Sequence, residues 1–167
     1  MYQWEQRLFD GSTATFERLR RPDSVIVFPV TADKKVLLIE DEQPGRAPVL
    51  TAPGGEMDEG ETPLEAVARE LREETGYEAE TYELWQAIQP SAKIDWAIYF
   101  FIAKNCRQVT EPKLDAGEKI TLKPVDFDTF VELGMREDFL NREVSFKLLR
   151  AKLEPGKMDR IREMFLN

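Results

Sequence analysis

The sequence predicts a mixed α/β (α+β) fold in which strands flank one well-defined helix. Three observations predict it. Residues 24–30 and 36–40 are nearly continuous apolar runs, the pattern of strands buried on both faces. Residues 62–76 carry the start and stop signals of a helix. Strand-like segments resume after that helix, before the chain turns helical near its end.

The elements follow in order. Tyr2 to Phe9, the pair Asp10-Gly11 and Ala14 to Leu19 read as an antiparallel hairpin. Ser24 to Val30 and Val36 to Glu40 are buried strands separated by a turn at Asp33-Lys34-Lys35. Glu42 to Pro48 is polar and contains Pro and Gly, which predicts an exposed loop. Pro53 to Glu61 reads as a tight glycine-rich loop. Thr62 is an N-cap, Pro63 suits the first helical position and Glu65 completes a capping box. Gly76 suits the left-handed residue that closes the helix. Leu64, Val67, Ala68 and Leu71 are predicted to share the face packed on the sheet. Tyr82 to Ile88, Trp96 to Ala103 and Ile120 to Val125 read as strands. Phe127, Phe130 and Leu133, then Val144, Leu148 and Leu149, have helical spacing. Pro155-Gly156 breaks that region, and Met158, Ile161, Met164 and Phe165 line a last helix.

A length of 167 residues suits a single domain over 1–167, with residues 1–21 as its hairpin. Apolar residues make up 42% and charged residues 33%, a globular balance. No apolar run approaches the ~20 residues that span a bilayer, and residues 1–5 do not resemble a secretion signal. Cys106 is the single cysteine and reads as a half-buried structural thiol, so a reducing cytoplasm is the expected location. A net charge of −9 gives no support to nucleic-acid or anionic-membrane partners. The chain has no histidine, which excludes histidine zinc sites and Ser-His triads. A general base must come from another residue type or from water.

The helix carries the chemistry. Glu70, Glu73 and Glu74 gather on one side of it. Glu73 has Arg69 four residues earlier, whereas Glu70 and Glu74 form a like-charge pair with no basic residue three or four positions away. A hard cation such as Mg²⁺ would turn that repulsion into affinity, because it prefers carboxylate oxygens. The competing reading is a solvated charged face. The glycine-rich loop, whose carbonyls could complete a metal site, favours the cation.

These residues resemble the Nudix box, whose pattern is Gly, five residues, Glu, seven residues, then Arg-Glu-apolar-any-Glu-Glu-any-Gly-apolar. Here it occupies residues 55–77, from Gly55 through Glu61 to Arg69-Glu70-Leu71-Arg72-Glu73-Glu74-Thr75-Gly76-Tyr77. Every fixed position matches. The resemblance implies the Nudix fold, a mixed β-sheet sandwiched between helices. It implies hydrolysis of a nucleoside diphosphate linked to another group. It assigns Glu70 and Glu74 to metals, Mg²⁺ or Mn²⁺, with Glu73 as ligand or catalytic neighbour and the Gly54 carbonyl as backbone ligand. Gly55, Glu61, Arg69 and Gly76 would be structural within the motif.

The flanks are similar to the ADP-ribose and ADP-sugar pyrophosphatases, through the hairpin and the Pro90-Ser91 pair. That likeness implies a homodimer formed through the N-terminal strands. It nominates Phe16 to stack on adenine and Arg20 or Arg21 to meet phosphates. Packing within the hairpin is the competing reading for Phe16, and solvated strand-end charge the one for the arginines. Two departures bear on the substrate. Asp41-Glu42-Gln43 stands where that group has Gln-aromatic-Arg, and Thr51-Ala52-Pro53 where it has Glu-Leu-Pro. The family also implies an acidic residue after the box, as base or ligand. Glu118, within 115–119, is the candidate, with a surface turn as the competing reading. Asp95 is the runner-up, with a solvated strand end as its alternative. Other substrates remain open: nucleoside triphosphates, dinucleoside polyphosphates or GDP-mannose. So does a non-catalytic nucleotide-sensing role.

Overall fold

The computed structural model describes residues 1–114 and 116–167. Its centre is a mixed sheet of β3 (Ser24–Thr31), β4 (Val36–Glu42), β10 (Ile98–Gln108), β11 (Lys119–Val125) and β7 (Tyr77–Glu78), in the order β11-β4-β3-β10-β7. Three strands attach beside this path: β5 (Val49–Thr51) on β4, β6 (Gly54–Glu56) on β3 and β8 (Thr81–Ile88) on β10. Among the described residues, only the β3–β10 strand pairing in this sheet is parallel.

Strand alternation sends neighbouring side chains to opposite faces. Val25, Val27, Phe101 and Ala103 face one helix, α1 (Pro63–Thr75), and pack on its Ala66, Val67 and Leu71. Phe28, Val30, Phe100 and Ile102 face the other way. There they meet α2 (Phe127–Gly134), α3 (Arg142–Leu153) and α4 (Lys157–Leu166) through Phe130, Leu148 and Phe165. The Phe130 and Phe165 rings stack with centroids 5.1 Å apart. The sheet between helices is therefore the architecture the sequence leads one to expect.

The hairpin is β1 (Tyr2–Arg7) and β2 (Thr13–Arg20), with Trp4 opposite Phe16. It joins a separate three-stranded sheet, in which β2 runs parallel to β9 (Ile94–Asp95).

Helix α1 begins and ends where its caps place it. The Thr62 side chain accepts from the Glu65 N–H, and Glu65 reaches back to the Thr62 N–H. Gly76 is left-handed at φ 74°. Other expectations need correction. Leu64 is 53% exposed, and Ala66 takes its place on the buried face. Leu149 is likewise exposed beside buried Leu148. The glycine-rich stretch is not all loop, because Gly54–Glu56 pairs with Ser24–Ile26. Trp96 lies outside β10, which continues past Ala103 to Gln108. Cys106 is fully buried, and burial pushes its thiol up to about 12, so it is inert.

Candidate active site

Three elements converge on one cleft of about 270 Å³. Helix α1 supplies Arg69, Glu70, Glu73 and Glu74, β6 supplies Gly54 and Gly55, and the loop before β11 supplies Lys113 and Glu118. The pairing of β6 with β3 explains the approach. It carries Gly54 and Gly55 beneath the helix, where the Gly54 N–H donates to Glu74 Oε2 at 2.8 Å.

Both glycines are required by contact. A β-carbon on Gly54 would strike the Val25 carbonyl, and the residue already sits at φ 151°. A β-carbon on Gly55 would strike the Glu70 carboxyl group, 2.7 Å from its Cδ. The absent side chain is the space that Glu70 occupies.

Arg69 organises the acidic side chains. Its guanidinium takes Glu61 by two bonds of 3.0 Å, Glu70 at 2.7 Å and Glu73 at 3.1 Å. It also donates to the Glu56 carbonyl at 3.0 Å. This corrects one expectation: Glu70 has a counter-ion after all. Helical spacing brings together residues three or four apart, but the long arginine stem folds over its immediate neighbour.

Glu74 has no basic partner among the described residues. Burial raises it to about 8; the Gly54 N–H opposes the shift, and the negative charges of Glu70, Glu118 and Asp41 add to it. Burial also raises Glu70, against the pull of Arg69. Among the described residues, no three acidic side chains are already drawn into a metal-binding set. Glu70 and Glu74 each give one oxygen to Arg69 or Gly54, and the second oxygen of each makes no hydrogen bond among the described residues. Two hard oxygen donors, raised in pKa by burial and flanked by further negative charge, fit a divalent cation.

Asp41 does not line the cleft, but its charge acts on Glu74, and the sequence shows it only as a departure from a motif. It ends the run Leu37, Ile39, Asp41 on one face of β4, opposite Val36 and Leu38 in the α2–α4 core. That alternation was the available signal. Its Oδ2 takes Arg46 at 2.5 Å, while Oδ1 is buried with no partner among the described residues.

The remaining nominees lie elsewhere. Arg20 pairs with Asp95 at 2.9 Å. Arg21 pairs with Glu56 and lies 4.4 Å above the Trp96 ring. Both arginines line another cleft with Met57 and Glu59, which shares Asp58 with the carboxylate cleft. Phe16 is exposed on the hairpin, 5.9 Å from the Trp4 ring. Phe16, Arg20, Arg21 and Asp95 do not line the carboxylate cleft, although Glu56, the partner of Arg21, does. Asp115, in the segment that carries Glu118, lies outside the described residues.

Comparison with known proteins agrees with this geometry. The family model of the NUDIX domain matches residues 20–146, so the chain belongs to the Nudix family. It is 30% identical over 126 residues to a methanol dehydrogenase activator of Bacillus methanolicus, covering 74% of this chain and 63% of that protein. It is 24% identical over 157 residues to an ADP-ribose pyrophosphatase of Bacillus subtilis (strain 168), covering 92% and 85%. Among solved structures, an ADP compounds hydrolase shares the fold at TM-score 0.66 and 21% identity, over 90% of this chain and 84% of the other. MutT, studied from Aliivibrio salmonicida and Vibrio cholerae, shares it at TM-score 0.52 and 16% identity, over 68% and 84%.

Proposed function

We propose that this chain is a Mg²⁺- or Mn²⁺-dependent pyrophosphatase that hydrolyses ADP-ribose or another nucleotide sugar. The observation that carries the reading is the convergence of Glu70, Glu74, Glu118 and Gly54 on one cleft at an intact box. Likeness to the Bacillus subtilis enzyme over most of both chains supports the substrate class.

Glu70, Glu74 and the Gly54 carbonyl would hold the cation. When bound, it neutralises phosphate oxygens, stabilises the leaving phosphate and makes a bound water more acidic. Glu118 lines the cleft and adds negative charge to both Glu70 and Glu74, and in this reading it takes the proton of the attacking water. Glu73 is half exposed and shares Arg69 with Glu70. In this reading it completes the ligand set or passes on the proton. Glu61 keeps Arg69 in place, and Gly55 leaves Glu70 its room.

The hairpin supports a homodimer. Tyr2, Phe9, Phe16 and Leu19 are exposed on it. Apolar residues left exposed on a two-stranded ribbon are ready to be covered by a second copy. The acidic surface favours a small-molecule substrate over nucleic acid or membrane, and no helix of the described residues is long and apolar enough to cross a membrane. The cytoplasm is the proposed location, since the thiol of Cys106 is single and buried.

A panel of ADP-ribose, ADP-glucose, GDP-mannose, diadenosine polyphosphates and nucleoside triphosphates, each with Mg²⁺, tests the reading. The expected result is turnover foremost of ADP-ribose, giving AMP and ribose 5-phosphate. Turnover only of triphosphates would overturn the substrate class. Tight nucleotide binding without product would revive the sensing role. The likeness to the Bacillus methanolicus protein favours one further reading, stimulation of a dehydrogenase, which a coupled methanol dehydrogenase assay would reveal.

A further inference from the structure

An anionic diphosphate entering this cleft meets the carboxylates of Glu56, Asp58, Glu70, Glu73, Glu74 and Glu118, and bound cations at Glu70 and Glu74 can cover only part of its charge. Arg69 and Lys113 are the basic side chains on the cleft walls among the described residues. Arg69 is fully engaged by Glu61, Glu70, Glu73 and the Glu56 carbonyl. Lys113 is different. Its backbone is fixed, with the N–H donating to the Glu73 carbonyl at 2.7 Å. Its Nζ makes no hydrogen bond or ion pair among the described residues. The residue is exposed and packs in neither core cluster.

Lys113 also lines a second cleft of about 450 Å³, with Arg72, Thr110 and Glu111. The two clefts share Arg69, Glu73 and Lys113, so Lys113 stands at their junction. Arg20 and Arg21, the cations suggested by resemblance, are held by Asp95 and Glu56 and line neither cleft.

We propose that Lys113 binds the substrate's diphosphate, through phosphate oxygens that the cation at Glu70 and Glu74 does not cover. Lysine suits the task as a compact charge on a flexible stem, which settles on an oxygen as the substrate arrives. The inference rests on the hydrolase reading for its substrate, and it requires only that a nucleoside diphosphate occupy the cleft.

The test compares wild type, Lys113→Gln and Lys113→Arg. With ADP-ribose and Mg²⁺, K113Q should raise KM by roughly 10- to 100-fold, the range for a lost charge-assisted hydrogen bond, and leave kcat within about 3-fold. K113R should recover most of the loss. A KM within 2-fold of wild type, or a loss confined to kcat, would overturn the inference. Calorimetry with ADP and Mg²⁺ separates it from the parent reading. If the wild-type chain cleaves nothing, the hydrolase reading fails, and binding of ADP then decides. At least 10-fold weaker binding by K113Q supports the role of Lys113. Equal binding, or no binding by the wild type, overturns it.

Discussion

Glu74→Gln is expected to lower turnover by on the order of 10³-fold while raising the Tm of the metal-free protein at alkaline pH. Both effects come from one cause. Glu74 is kept at a raised pKa of about 8 chiefly by burial, then by the negative charges of Glu70, Glu118 and Asp41. In the metal-free chain the folded state therefore binds more protons than the unfolded state between pH ~4.5 and ~8. Stability consequently falls as pH rises through that window. Glutamine removes the charge, and its amide oxygen still accepts the Gly54 N–H. Its Tm should depend less on pH, and above pH 8 it should exceed that of wild type. Added Mg²⁺ should raise the wild-type Tm and leave that of E74Q nearly unchanged. An active E74Q, or one less stable than wild type at pH 8.5, would remove Glu74 from the metal site.

Arg69→Ala should have the largest effect on the fold itself. The guanidinium makes five hydrogen bonds, three that tie α1 to Glu61 and the Glu56 carbonyl and two to Glu70 and Glu73 on α1 itself. Glu61 and Glu70, only 14% and 12% exposed, would be left as neighbouring charges without a counter-ion. Breaking such a half-buried network costs about 2–4 kcal/mol, a fall in Tm of roughly 5–15 °C for a chain this size. Activity should fall by at least about 100-fold, because Glu70 loses the contact that orients it. Lysine is a poor substitute, since it cannot hold Glu61 through two parallel bonds. Thermal unfolding and turnover of R69A and R69K check this. A change in Tm below 2 °C would contradict the bracing role.

What the sequence made legible depends on the range of the forces involved. Helix α1 was readable to the residue because Thr62, Pro63, Glu65 and Gly76 act locally on their own backbone. The short strands β6, β7 and β9 were not, because each exists only through a partner strand distant in sequence, and β5, paired with the preceding β4, is only three residues long. Leu64 misled for a related reason. Hydropathy favours leucine inside, yet the helix presents Ala66 to the sheet, where small residues allow close approach. The box glutamates were readable from their spacing. The charge around them was not. Arg69 reaches its immediate neighbour, Asp41 arrives from β4, and Lys113 arrives from the loop after β10. Alternation along β4 gives the face of Asp41 but not its nearness to Glu74, and the reach of Arg69 and the position of Lys113 follow no helical or strand period.

The central claim is that the Glu70–Glu74 cleft holds a divalent cation without which the chain cannot cleave a phosphoanhydride. ADP-ribose turnover measured across a Mg²⁺ titration, beginning from protein treated with EDTA, tests it most directly. The predicted result is no AMP in EDTA, saturable recovery with Mg²⁺, and no recovery at any Mg²⁺ concentration in E74Q. Undiminished AMP formation by the EDTA-treated wild type would contradict it.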